Sequence, residues 1–162
     1  MSAGPKRLPK FPYRGRYCYF VTCCTHARAH LFLSAAPVSL ALEQMLSTAD
    51  EQCFAVRAYC FMPDHLHALF QGQSAASDFR ALMTIFRRRA ACAHARTFRT
   101  RLWQVGYYEH VLREGESPRL VARYIAVNAV RAGLVKRAEE YPYCRVDADF
   151  AEWLNPVDVR PD

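Results

Sequence analysis

Two β-rich runs that lie only three residues apart limit what this chain can become. Residues 54–61 and 65–71 flank Met62-Pro63-Asp64. A parallel pair of strands needs a crossover of a dozen residues or more, so this connection predicts an antiparallel hairpin. Pro63 suits the turn, because proline cannot donate into a central ladder. The second run opens with His65-Leu66-His67. Residues i and i+2 of a strand point to the same face, which sets the two imidazoles side by side and turns Leu66 away. Two imidazoles on one rigid face are a candidate pair of metal ligands, although a packed or solvated histidine fits each position equally well. A third ligand is offered much later, where Tyr124 and Asn128 stand four residues apart.

The remaining segments surround the hairpin in a regular order. Tyr17-Cys18-Tyr19-Phe20-Val21-Thr22-Cys23-Cys24-Thr25 is aromatic and β-branched, as a buried strand requires. After Pro37, the residues Val38, Leu42, Met45, Leu46 and Ala49 recur at helical spacing over 37–50. Ser77 is a suitable N-cap for a helix over 78–96, whose stripe is Phe79, Leu82, Met83, Phe86, Ala90 and Ala93. Arg80, Arg87, Arg88 and Arg96 lie off that stripe, on a face that suits either water or phosphate. Residues 102–113 are β-rich, with Gly106 marking a bulge or a close backbone approach. Ser117-Pro118 predicts the start of a helix over 118–132, and Gly133 its end. Tyr124 and Asn128 share one face of that helix, with Arg123 and Arg131 nearby. From residue 134 onward an irregular wrap or short helices are expected.

Strand, helix, strand, strand, helix, strand, helix is the order of an α+β, ferredoxin-like split βαβ sandwich. The expectation is an antiparallel sheet with helices on one face, plus the helix that carries Tyr124. The expected organisation is a basic arm over 1–16, one domain over 17–143 and a tail over 144–162.

The net charge of +7, most of it from arginine, fits a polyanion partner or simply a solubilising surface. Arg101 and Arg113 bracket Trp103 and Tyr107, rings that could stack on unpaired bases or sit in the core. Seven cysteines without a Cys-x-x-Cys pair argue against a zinc ribbon or redox motif and suit a reducing cytosol. No apolar run approaches the ~18 residues of a membrane span. A cytoplasmic protein without a membrane partner is the expectation.

Three blocks, in order, carry a family resemblance. They are Phe61-Met62-Pro63-Asp64-His65-Leu66-His67, then Leu102-Trp103-Gln104-Val105-Gly106-Tyr107-Tyr108-Glu109-His110-Val111-Leu112-Arg113, and last Arg123-Tyr124-Ile125-Ala126-Val127-Asn128-Ala129-Val130-Arg131-Ala132-Gly133-Leu134-Val135. Together they resemble the single-tyrosine HUH transposases, and within them the REP-associated tyrosine transposases. Family members usually carry Asn where Asp64 stands and Pro where Ala129 stands. The resemblance implies a metal-dependent single-stranded DNA endonuclease and strand transferase that acts on a hairpin through a 5′-phosphotyrosine and leaves a free 3′-OH. It implies Tyr124 as nucleophile and His65, His67 and Asn128 as ligands of Mg²⁺ or Mn²⁺. Arg87, Arg88, Arg101, Trp103, Tyr107, Arg113, Arg123 and Arg131 are the expected DNA contacts, with Glu109 and His110 as candidate helpers in proton transfer. A monomer or a homodimer is compatible with the family. The alternative from another class is a ferredoxin-like hairpin-binding protein that does not cut.

Overall fold

The computed structural model describes residues 8–151, so the first residues of the expected arm and the end of the tail, with Trp153 and Pro156, lie outside it. Strand β1 (Cys18–Cys24) leads to helix α1 (Ala35–Glu51), then to the hairpin of β2 (Phe54–Met62) and β3 (His65–Gly72). Helix α2 (Phe79–Phe98), strand β4 (Tyr108–Val111) and helix α3 (Pro118–Arg131) follow, and β5 (Cys144–Val146) and the short α4 (Ala148–Ala151) close the described chain. The sheet order is β4-β1-β3-β2-β5, and every pairing is antiparallel. The first four strands with α1 and α2 form the expected ferredoxin-like unit.

Alternation along the strands divides the molecule into two cores. Tyr19, Val21 and Cys23 of β1 and Leu66, Ala68 and Phe70 of β3 face α1 and α2, where Met45, Phe79, Leu82 and Phe86 meet them. A register shift between Val56 and Ala58 makes Arg57 a bulge in β2. The bulge lets Phe54 and Val56 on one side of it and Tyr59 and Phe61 on the other all join the same core. On the opposite face Ala58, Cys60, Met62 and Leu69 receive Ala122, Ile125 and Ala129 of α3. At the far end of β3, Gly72 is required by packing, because a Cβ there would collide with the carbonyl of Gly15.

Several local expectations change. Asp78, not Ser77, caps α2: its side chain accepts from the Ala81 amide at 3.0 Å. Ser77 is fully buried instead and donates to the Cys53 carbonyl at 2.7 Å. The apolar stripe of α1 runs through Val38, Ala41, Met45 and Ala49, which leaves Leu46 exposed. Only Tyr108–Val111 of the expected 102–113 strand pairs with β1, because Gly106 turns the chain at φ 75° and Trp103 forms an isolated bridge to Thr25. The sheet also continues past residue 143, since β5 pairs with β2. Among the described residues no helix is long and apolar enough to cross a membrane.

Candidate active site

The β2–β3 hairpin holds His65 and His67 on the face that α3 covers in part. Their Nε2 atoms lie 3.1 Å apart. Two bare lone pairs at that distance repel, so a proton or a cation must lie between them. Each Nδ1 is engaged elsewhere. His65 donates from Nδ1 to Asp64 Oδ1 at 2.6 Å, a direction fixed because a carboxylate can only accept. His67 Nδ1 lies 2.8 Å from the hydroxyl of Thr22, its register partner on β1. Burial, then the charges of His65 and Arg28, push the His67 pKa down to about 3 against the opposing effect of Asp64. The ring therefore stays neutral at ordinary pH.

Asp64 is itself tied down from a second side. Its Oδ2 lies 2.9 Å from Arg28 Nε, and Arg28 also donates to Cys24 Sγ at 2.7 Å. Burial raises the Asp64 carboxyl, but the His65 hydrogen bond and the His65 and Arg28 charges outweigh it and hold the group below the ordinary carboxylate range. Arg28 reaches this position from a one-turn 3₁₀ segment (His26–Arg28) in which Ala27 and Arg28 adopt positive φ, 53° and 56°.

Tyr124 comes to the same place from α3. Its ring centroid lies 6.0 Å from that of His67 and 6.0 Å from that of Phe20, and the Arg131 guanidinium stands 5.6 Å from its centre. Tyr124 is 42% exposed, unlike the core tyrosines Tyr13 and Tyr19. Asn128 sits one turn later and donates from Nδ2 to the Tyr124 carbonyl at 2.7 Å, which leaves its oxygen as the end that could approach a cation. Arg123 precedes Tyr124 on the same helix.

The donor set suits a small divalent ion. Cis ligands of an octahedral ion with bonds of about 2.1 Å stand about 3.0 Å apart, close to the spacing of the two Nε2 atoms. Among the described residues no group of three or more His, Cys, Asp or Glu side chains is placed to hold a metal. A third protein ligand would therefore have to be of another type, as the Asn128 amide is.

The other expected contacts divide between the two faces. Trp103 is buried between Phe32 and Phe86, with centroids at 5.8 and 6.0 Å, so its expected stacking role becomes a core role. Tyr107 packs against Phe79 in the core under α2. Arg87 donates to the Gln104 carbonyl at 2.7 Å and lies over Tyr107, holding the 102–107 segment against α2. Arg88 is exposed on α2, and Arg101 donates from Nε to the Trp103 carbonyl at 3.1 Å. Arg113 is exposed just past β4, and its amide donates to Glu116 at 2.6 Å. Glu109 is buried toward Tyr13 on the α1/α2 face, which removes it from any proton transfer at Tyr124. His110 is on the site face and hydrogen-bonds Glu116 at 2.9 Å.

Thr22, Arg28, Phe20 and Tyr108 belong to the site but were not singled out by sequence. Thr22 and Arg28 needed the β1–β3 register. Tyr108 had a local signal: it alternates with Tyr107, and only one of two adjacent strand residues can face the histidines.

A ferredoxin-like sheet with paired histidines on a central strand is met by a tyrosine from a helix on the same face, the arrangement that the sequence resemblance to single-tyrosine transposases leads one to expect. No family model matches the chain. Over 118 residues it is 27% identical to the REP-associated tyrosine transposase of Escherichia coli K12, covering 73% of this chain and 70% of that protein. A Haemophilus influenzae protein of the same family name is 27% identical over 122 residues, covering 68% and 69% of the two chains. The fold matches a solved REP-associated tyrosine transposase bound to a REP hairpin with a TM-score of 0.74, over 97% of this chain and 92% of that one, at 21% identity. The chain is a relative of the REP-associated tyrosine transposases.

Proposed function

We propose that this protein is a transposase that binds a REP-type DNA hairpin and cuts an adjacent unpaired strand through a covalent tyrosine intermediate. The observation that carries this reading is the meeting of Tyr124 with His67 at 6.0 Å, beside two Nε2 atoms that converge. A strand helper and a helix nucleophile from distant parts of the chain have little reason to meet in an ordinary core, where the tyrosine would be buried.

In this reading Tyr124 Oη attacks the scissile phosphorus. The new bond is Tyr124 Oη–P, the P–O3′ bond breaks, the phenolic proton leaves to solvent or a nearby base, and the 3′ oxygen departs as a hydroxyl. Rejoining is the same step in reverse, with a 3′-OH as the attacking group. His65 and His67 would hold Mg²⁺ or Mn²⁺ through Nε2, with the Asn128 amide oxygen as third ligand. The bound ion would polarise a phosphate oxygen and stabilise the developing charge on the leaving 3′ oxygen. Asp64 and Thr22 orient the two rings from their Nδ1 sides. Asn128 sits on the nucleophile's own helix, so a ligand held there also sets the reach of Tyr124.

The decisive test is Tyr124→Phe with end-labelled hairpin DNA that carries a single-stranded flank, in Mg²⁺ or Mn²⁺. The wild type should give a labelled protein band on a denaturing gel. The variant should lose that band and keep hairpin binding. An adduct that survives in Tyr124→Phe, or cleavage without any adduct in the wild type, defeats the proposal.

A further inference from the structure

Helix α3 covers only part of its face of the sheet. It packs over Ala58, Cys60 and Met62 of β2 and Leu69 of β3, and reaches β1 where Tyr124 meets Phe20. On the β4 side, Tyr108 is left 39% exposed, an unusual state for a large ring on a sheet face. The pairing of Thr22 with Tyr108 puts this ring on the same face as His67. Phe20 links the set. It lies nearly parallel to His67 (5.4 Å, 26°), and both tyrosines meet it at steep angles, Tyr108 at 67° and Tyr124 at 81°, each 6.0 Å away. An unbroken row of rings thus runs from the edge strand to the histidine pair.

We propose that Tyr108, supported by Phe20, is a stacking subsite for one unpaired nucleobase of the DNA strand that lies across Tyr124. The occupant is argued from continuity and charge. The row ends at the group that would attack a phosphate, so its rings lie within reach of the nucleotide next to that phosphate. Arg131 flanks the Tyr124 ring, and the chain carries a net charge of +7, which suits a polyanion and not a greasy peptide. A ring face accepts any base, so the subsite positions the strand without reading its sequence. This inference rests on the single-strand cleavage reading above.

The test uses the full chain carrying Tyr124→Phe, so that binding is read without reaction. Fluorescence anisotropy follows a labelled short oligo(dT) and, separately, a blunt duplex. Adding Tyr108→Ala should weaken oligo(dT) binding by about 5- to 150-fold, the range expected for one lost base stack. Duplex binding should not change, and Tyr108→Trp should restore the oligo(dT) affinity. Unchanged oligo(dT) binding in Tyr108→Ala overturns the subsite, as does an equal loss of duplex affinity. A wild-type dimer in sedimentation that Tyr108→Ala dissolves would also overturn it, since the ring would then be covered by a second copy. If stacking is found but the wild type forms no Tyr124 adduct, the subsite stands and the cleavage reading falls.

Discussion

Asp64 does two jobs with one carboxylate. Oδ1 fixes the proton of His65 on Nδ1, so that Nε2 presents a lone pair toward His67, while Oδ2 is anchored by Arg28. Outer partners of this kind tune metal affinity by about 10- to 100-fold. Asp64→Ala should therefore weaken Mn²⁺ binding by about that factor, read from the free-ion signal in electron paramagnetic resonance. Asp64→Asn, which keeps an acceptor, should lose less. Equal Mn²⁺ affinity in all three proteins would show that His65 needs no such guide. Protonation gives a second residue-level consequence. Burial is the leading cause that lowers the pKa of both His67, to about 3, and His94. Below an ordinary histidine value of about 6.5 the unfolded chain takes up protons that the folded chain refuses, so stability must fall as pH falls. With chelator present, the urea midpoint should decline from neutral pH downward, and His94→Gln should flatten that slope. A midpoint independent of pH between neutrality and pH ~4 would contradict the assignment.

Helix α3 is the element on which the site depends, and both of its ends are written into the sequence. Ser117 accepts from the Leu120 amide, Pro118 occupies the first turn, and Gly133 ends the helix at φ 72°. There Leu134 donates to the Ala129 carbonyl and Gly133 to that of Val130, the paired bonds of a Schellman stop. A Cβ at Gly133 would touch nothing within 4 Å, so Gly133→Ala isolates the backbone cost. It should destabilise the fold by about 1 kcal/mol in urea unfolding while leaving Tyr124 able to form an adduct. Caps and strong periodicity are local signals, which is why α2, α3 and the hairpin were legible. The buried stripe of α1 is rotated toward Ala41 and Thr48, on the flank of Val38, Met45 and Ala49 opposite Leu46, and side-chain hydrophobicity alone favoured the Leu46 flank. Strand β4 was legible as β-rich but not in its phase, so Glu109 and His110 were grouped as candidate helpers although adjacent strand residues face opposite sides, with Glu109 buried toward Tyr13 and His110 on the histidine face. Strand β5 has three residues, too few for alternation to show. Thr22 and Arg28 were invisible for a different reason, since their approach to the histidines exists only after β1 pairs with β3.

At the scale of the molecule, the sheet separates the face packed by α1 and α2 from the face that carries the candidate site, and arginines lie on both. Arg87 is spent on the Gln104 carbonyl, and Arg88 projects from α2 on the layer away from the histidines. Arg131 stands over Tyr124 on the face of the candidate site. Composition counts these charges alike, but a bound strand feels only those along its path. Each phosphate neutralised contributes about one unit to the slope of log affinity against log salt, somewhat less for single strands. Arg131→Ala should thus lower that slope by about one for a short single-stranded oligonucleotide and weaken binding for all sequences alike. Arg88→Ala should leave both slope and affinity unchanged. A salt titration of the two variants beside the wild type decides the matter: an equal drop in slope for Arg88→Ala would mean that DNA also wraps the helical layer, and that the division of labour between the two faces is wrong.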